Sequence, residues 1–173
     1  PTDCGSRDHG PFGLSAFTEH IRLTNDLTNR TVGKYDVLEL LGHGAMGTVY
    51  RGNDPFQGRP VAIKVANRDS RELGGGINPR KLFFNESKVA SRLKHPNIVR
   101  VYDAGIDGDI WYIVMEYVSG GRTLQAHCQP DTLLSHESVI RVVFKSAIAL
   151  DYAHRRGVIH RDIKPRNILL TEQ

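Results

Sequence analysis

Three stretches and one lone glutamate carry residue types and spacings that could do chemistry. His160-Arg161-Asp162-Ile163-Lys164-Pro165-Arg166-Asn167 packs a carboxylate, an ammonium and an amide into one short loop. Those are the group types that proton transfer and charge neutralisation require. Gly42-His43-Gly44-Ala45-Met46-Gly47 has the spacing G-x-G-x-x-G. That spacing alone is weak, because dinucleotide-binding folds share it and many matches are plain turns. In a dinucleotide fold the glycines lead from a strand into a helix. Here the next residues, Thr48-Val49-Tyr50, are β-branched and aromatic, so the glycines join strand to strand. Such a hairpin can lie over a triphosphate, its small residues letting backbone N–H groups approach the oxygens. Lys64 closes the apolar run Val61-Ala62-Ile63, where a cation is costly unless paired. Glu86 falls on the apolar face of a later helix, out of place on a solvated surface but suited to an inward ion pair.

The elements that must position these groups are legible around them. Residues 1–33 are polar, rich in Gly, Thr and Asn, and read as a flexible extension with one short helix near Phe17–Leu23. Strands are expected over Tyr35–Leu41, Thr48–Arg51, Pro60–Ala66, Ile98–Tyr102 and Ile110–Glu116. A linker, Gly74-Gly75-Gly76, precedes Asn78 and Pro79, which suit the N-cap and first residue of a helix. That helix lines up Leu82, Glu86, Val89, Ala90 and Leu93 on one face and ends before Pro96. A second helix, about His136 to Arg156, is capped by Ser135 and closed by Gly157. Its apolar residues cover nearly the whole circumference, so it must be buried on most sides. Fewer than twenty residues follow it, too few to supply that packing.

Together the motifs resemble a eukaryotic-type serine/threonine protein kinase, with a glycine loop in the bacterial style, from about Tyr35 to Leu170. The resemblance implies an α+β, kinase-like bilobal fold: a complete five-stranded N-lobe with one helix over an incomplete helical C-lobe. It divides the chain into an extension, 1–33, and a partial kinase domain, 34–173, with the N-lobe at 34–117 and the hinge and C-lobe start at 118–173. Implied roles follow by position. Asp162 would accept the proton of the substrate hydroxyl, Lys164 would neutralise the γ-phosphoryl group, and Lys64, paired with Glu86, would hold the α- and β-phosphates. Asn167 would give its amide oxygen to Mg²⁺. ATP would contact Leu41, Gly42, His43, Gly44, Ala45, Met46, Gly47, Thr48 and Val49 on the hairpin, with Ala62 and Lys64. Met115, Glu116 and Val118 would form the hinge against adenine, and Leu169 the floor. His160 is expected to be a packed structural residue, and His95-Pro96-Asn97 a turn locking the first helix to the sheet. Arg161 would bind a phosphate on a downstream loop. Arg122 stands about where relatives that prefer basic targets place an acidic residue, which disfavours such a target.

The resemblance also has a gap. The family's Asp-Phe-Gly, whose Asp chelates Mg²⁺, is expected about a dozen residues beyond Asn167 and does not occur in the 173 residues. Negligible transfer activity and poor solubility are therefore expected of the 173 residues by themselves. Two other classes compete. A non-catalytic pseudokinase is disfavoured by the intact Lys64, Glu86, Asp162 and Asn167. A small-molecule phosphotransferase is disfavoured by Arg161 and Lys164. Composition, at 39% hydrophobic, 24% charged and a net charge of +4, is that of an ordinary globular protein. No basic block interleaved with aromatics points to nucleic acid, and no apolar run reaches membrane-span length. Cys4 and Cys128 have no metal-ligand spacing and suit a reducing, cytoplasmic compartment. Protein Ser/Thr hydroxyls are the implied acceptors.

Overall fold

The computed structural model describes residues 26–44, 47–66 and 79–171, apart from the side chains of 79–82 and 86. The helix expected near Phe17–Leu23, the Gly74-Gly75-Gly76 linker, the Asn78 cap and the side chains of Leu82 and Glu86 lie outside that description, as do Ala45 and Met46.

Six strands form one antiparallel sheet: β1 (Thr31–Val32), β2 (Tyr35–Gly44), β3 (Gly47–Asp54), β4 (Arg59–Val65), β5 (Val101–Asp107) and β6 (Ile110–Glu116). Their order is β1-β2-β3-β4-β6-β5, and helix α1 (Pro79–Ala90) lies in sequence between β4 and β5. Beyond β6 come the short pair β7 (Arg122–Thr123) and β8 (Leu169–Leu170), helix α2 (His136–His154), and 3-10 turns at Leu124–His127 and Pro165–Asn167.

Strand alternation sorts the sheet's side chains onto two faces. Val37, Tyr50, Val61, Ile63, Tyr112 and Val114 bury one face into a single cluster with Leu27, Val32 and Tyr35. The sheet curls until its ends meet. Gly33 N–H donates to Asp107 Oδ2 at 2.8 Å, and the Tyr35 hydroxyl donates to Asp103 Oδ2 at 2.8 Å. Burial, and then the Asp103 hydrogen bond, push the Tyr35 phenol far above its ordinary value. The Tyr112 hydroxyl end sits between Gly33 and Gly105, and a Cβ at either glycine would collide with it.

Three differences from the sequence reading have physical causes. β1 adds a sixth strand inside the stretch read as a flexible extension, and Leu27 and Val32 are buried there. A two-residue strand carries no periodicity, so only its partner, β2, reveals it. The fourth expected strand, Ile98–Tyr102, is shifted, running from Val101 to Asp107. Helix α1 ends before Pro96 as expected, but already at Ala90, so Leu93 lies beyond it in the tight turn made by the Arg92 N–H to Val89 and Leu93 N–H to Ala90 carbonyl bonds. The turn at His95-Pro96-Asn97 ties the sheet to α2. The His95 ring lies 5.0 Å from that of Tyr152, and Asn97 Nδ2 donates to the Lys145 carbonyl at 3.4 Å.

Helix α2 begins as its cap predicts, Ser135 Oγ accepting from Ser138 N–H at 3.3 Å. It closes at Gly157, whose φ of 74° suits glycine. Among the described residues only a stripe at Ala149 and Ala153 is covered. Val139, Ile140, Val143, Phe144 and Ile148 stay exposed.

Gly33 and Gly108 both have positive φ, but a Cβ at Gly108 would meet nothing within 4 Å. Alanine at either site should cost about 1–2 kcal/mol for the left-handed backbone. Gly33→Ala should cost a further 1–3 kcal/mol or so for displacing the packed Tyr112 ring. Chemical denaturation of the two variants in the full-length protein tests this, and equal losses would contradict it.

Candidate active site

The register of the sheet builds the upper wall. Val49 lies opposite Lys64, and Lys64 opposite Ile113. Arg51 lies opposite Ala62, and Ala62 opposite Met115. These two rows occupy the face turned away from the Tyr50–Ile63–Val114 core. Lys64 thus leaves the apolar run on the side where its ammonium is only partly buried.

The β2–β3 hairpin carries the glycines. Two irregularities bend β2, and Leu41 is the extra residue between the pairs Leu40–Tyr50 and Gly42–Val49. Leu41 is 45% exposed. At the tip, His43 Nδ1 and Thr48 Oγ1 lie 2.7 Å apart and pin the two strands. The glycines divide by role. Gly47 has a φ of 143°, and a Cβ there would collide with the Val65 carbonyl, so the fold itself demands glycine. At Gly42 and Gly44 a Cβ would meet nothing within 4 Å and φ is not positive. No described part of the chain requires glycine at those two sites, whereas an approaching phosphate would.

At the end of β6, Glu116 is tied to the start of β5. Its N–H donates to the Arg100 carbonyl at 2.8 Å, and Arg100 N–H donates to Glu116 Oε2 at 3.2 Å. Among the described residues the Val118 N–H has no acceptor, leaving a donor available at the hinge. Arg51 spans the mouth of the cleft: Nη1 pairs with Glu39 Oε1 at 3.2 Å and the guanidinium sits 5.3 Å from the Tyr117 ring centroid. The sequence reading missed this strut, although counting two residues on from Val49 along the strand places Arg51 on the cleft face.

Asp162 on the lower wall is held from several sides. Asn167 Nδ2 donates to the Asp162 carbonyl at 2.8 Å and to its Oδ2 at 3.0 Å. Lys164 Nζ lies 2.8 Å from the same Oδ2. Asp162 N–H donates to His160 Nδ1 at 3.3 Å. His160 is therefore exposed and hydrogen-bonded, not the packed residue expected. Its signal was present in the sequence, since a side-chain acceptor two residues before an N–H often closes a small turn. Arg161 between them has a φ of 63°, a strained choice for a non-glycine residue. Downstream, β7 pairs with β8, Arg122 opposite Leu170 and Thr123 opposite Leu169, which fixes Leu169 just past the loop, 41% exposed.

The charges of the lower wall act on Lys64 in the upper one. Burial holds the Lys64 ammonium below its ordinary value, the Asp162 charge partly restores it, and Lys164 lowers it further. The Lys164 hydrogen bond is the leading cause that holds the Asp162 carboxyl below its ordinary value; burial, next in size, opposes it, and the Asn167 hydrogen bond and the charges of Lys164 and His160 add to the lowering. With both Asn167 amide bonds spent on Asp162, its Oδ1 is left without a partner among the described residues, a hard oxygen suited to Mg²⁺. An open glycine hairpin, a free hinge donor and a free amide oxygen all fit a magnesium nucleotide. The Lys64–Glu86 pair cannot be described, because the Glu86 side chain lies outside the described residues.

A curled antiparallel sheet with a His-Arg-Asp loop below it is the arrangement of one fold family, and the chain belongs to the protein kinase domain family, whose model matches residues 35–173. Members of that family use ATP and Mg²⁺. The chain is 39% identical over 141 residues to the serine/threonine-protein kinase PrkC of Bacillus subtilis, covering 82% of this chain and 21% of that protein. It is 43% identical over 138 residues to the serine/threonine-protein kinase PknJ of Mycobacterium tuberculosis, covering 79% and 22%. Among solved structures it is similar to the PknI kinase domain of M. tuberculosis, at 36% identity and a TM-score of 0.74, covering 84% of this chain and 57% of that one. The chain thus spans about a fifth of the length of the curated relatives it matches. Among the described residues, no helix is long and apolar enough to cross a membrane.

Replacing Lys164 with Met removes the leading cause of the low Asp162 value, so the carboxyl should titrate at higher pH. Carbon-13 NMR of the Asp162 carboxyl in the full-length protein reads this directly. An unmoved titration would show that Lys164 does not hold the carboxylate.

Proposed function

We propose that the protein is a serine/threonine protein kinase, transferring the γ-phosphoryl group of ATP to Ser or Thr hydroxyls of other proteins. The observation that supports it most is the fixing of the Asp162 carboxylate by Asn167 and Lys164, with its charge acting on the Lys64 ammonium. Asp162 accepts the acceptor O–H proton as the oxygen attacks phosphorus. The new O–P bond forms while the bond to the departing ADP oxygen breaks, and ADP keeps that electron pair. A low carboxyl value keeps Asp162 ionised, and Lys164, next to it, lies where it can meet charge on the transferring group.

Lys64 binds the α- and β-phosphates and, partly buried, does so with less competition from water. Glu86 is the proposed partner that orients it. Gly42 and Gly44 admit the phosphates to the hairpin backbone, and His43 and Thr48 brace its tip; Ala45, Met46 and Gly47 complete the loop. Adenine lies between Leu41, Val49 and Ala62 above and Leu169 below, with Met115 at the back and the backbone of Glu116 and Val118 at its edge. Asn167 offers Oδ1 to Mg²⁺, which when bound neutralises phosphate charge. A cytoplasmic kinase domain is the proposed setting.

In the full-length protein, Asp162→Asn should lower transfer by about 10²–10⁴-fold while leaving nucleotide affinity nearly unchanged. Lys64→Met should lower transfer strongly too. Radiolabelled-phosphate transfer together with calorimetric nucleotide titration checks both. Normal turnover in either variant would contradict the assignment.

A further inference from the structure

One row of residues crosses four strands and ends at the hinge: Glu39 on β2, Arg51 on β3, Ala62 on β4 and Met115 on β6. Arg51 joins this row to the segment beyond β6. Its Nη1 lies 3.2 Å from Glu39 Oε1, and its guanidinium carbon sits 5.3 Å from the centroid of the Tyr117 ring. Tyr117 follows the last residue of β6 and precedes Val118, whose N–H has no acceptor among the described residues.

Stability does not account for Arg51. Its Nε is buried without a hydrogen-bond partner among the described residues. A buried donor left unmet costs more than an exposed ion pair returns, and the Arg51 and Glu39 side chains are 42% and 54% exposed. Arg59 Nε is likewise unpartnered, but the core explains that residue. Arg59 pairs with the buried Asp54 at 3.8 Å and stacks 3.6 Å from the Tyr102 ring centroid. The contacts of Arg51 lead instead to the edge of the nucleotide site.

Peptide planarity gives those contacts a consequence there. The Val118 N–H belongs to the rigid plane that begins at the Tyr117 carbonyl carbon, so the setting of Tyr117 decides where that donor points. A ring gripped from the sheet cannot turn without giving up the guanidinium. The same grip runs from the roof of the slot to its hinge edge, and so holds the gap that a planar base must enter.

We infer that Arg51 is a positioning residue for the nucleotide base: by holding the Tyr117 ring it aims the Val118 N–H at the base edge, and so makes the site choose a base with an acceptor there. The inference rests on the kinase reading and adds to it a residue, outside the contact set, that sets the choice of base. Adenine carries an acceptor at N1. Hypoxanthine has nearly the same outline, but bears an N1–H donor there and a carbonyl in place of the amine. A well-aimed donor rejects it, whereas a loosely held one can turn aside.

The test is calorimetric titration of the full-length protein with the magnesium complexes of ATP and of inosine triphosphate, ITP. The wild-type protein should prefer ATP by about 10-fold or more. Arg51→Met and Tyr117→Leu should each lower that preference by about 2- to 5-fold, the range of an exposed cation–π contact. The double variant should lower it no further than the more severe single one, because both substitutions remove the same contact. Tyr117→Phe keeps the ring and should keep the preference. The two ligands share ribose and triphosphate, so a loss of folded protein or a damaged phosphate site cancels in the ratio. A wild-type ratio near one, a ratio unchanged in Arg51→Met and Tyr117→Leu, an equal fall in Tyr117→Phe, or additive losses in the double variant each overturns the inference while leaving the kinase reading standing. Failure of the wild-type protein to bind either nucleotide overturns both.

Discussion

Everything in this site depends on the register of β4. Val61 and Ile63 are wholly buried, while Ala62 and Lys64 belong to the opposite face. Since side chains alternate with a period of two, a slip of one residue would drive Lys64 into the apolar core and turn Ile63 into the cleft. The core cluster therefore fixes the position of the cation as firmly as any direct contact to it. The partners on either side extend this control. With Val49 and Ile113 locked opposite Lys64, the hairpin above and the hinge strand beside it are set by the same ladder. The polar clasp of Gly33 and Tyr35 onto Asp107 and Asp103 keeps the sheet curled, so that the ladder cannot flatten away from the cleft.

The lower wall achieves rigidity by other means. It has little regular structure, and its order comes from side chains bonding to nearby backbone. Asn167 reaches back to both the carbonyl and the carboxylate of Asp162, and His160 receives its N–H. These bonds over-determine the loop and offset the left-handed backbone at Arg161. The two walls are joined at a distance from the chemistry, where the His95–Asn97 turn meets Tyr152 and Lys145 of α2. The upper wall is thus made by hydrophobic register and the lower one by local hydrogen bonds. Their meeting places a partly desolvated lysine within the field of a carboxylate.

What could be read from the sequence divides along the same line. Strands β2, β3, β4 and β6 were legible because alternation and β-branching repeat over seven or more residues, and β6 matches its expected bounds of Ile110–Glu116. Helix α2 was legible from its Ser135 cap and Gly157 stop. β1 was not, because two residues carry no period and its neighbours are polar. The shift of β5 to Val101–Asp107 reflects the tight Asp107–Ile110 hairpin and the long-range contact of Asp103 with Tyr35. In the site, Asp162, Lys164, Asn167 and Lys64 drew attention by residue type and spacing, and the roles proposed for them came from the resemblance to protein kinases. The Arg51 strut was passed over although strand alternation places Arg51 on the cleft face, and so was the hydrogen bond of His160, a local contact two residues long.

The central claim is that Lys64 and Asp162 are opposite walls of one cleft. The most direct test is the titration of the Lys64 ammonium by nitrogen-15 NMR in full-length protein, with and without Asp162→Asn. Asp162 raises the Lys64 value, so removing its charge should move the Lys64 titration to lower pH, further from that of an ordinary lysine. A Lys64 titration identical in the two proteins would mean that the walls do not face each other, and the account of the site would fail.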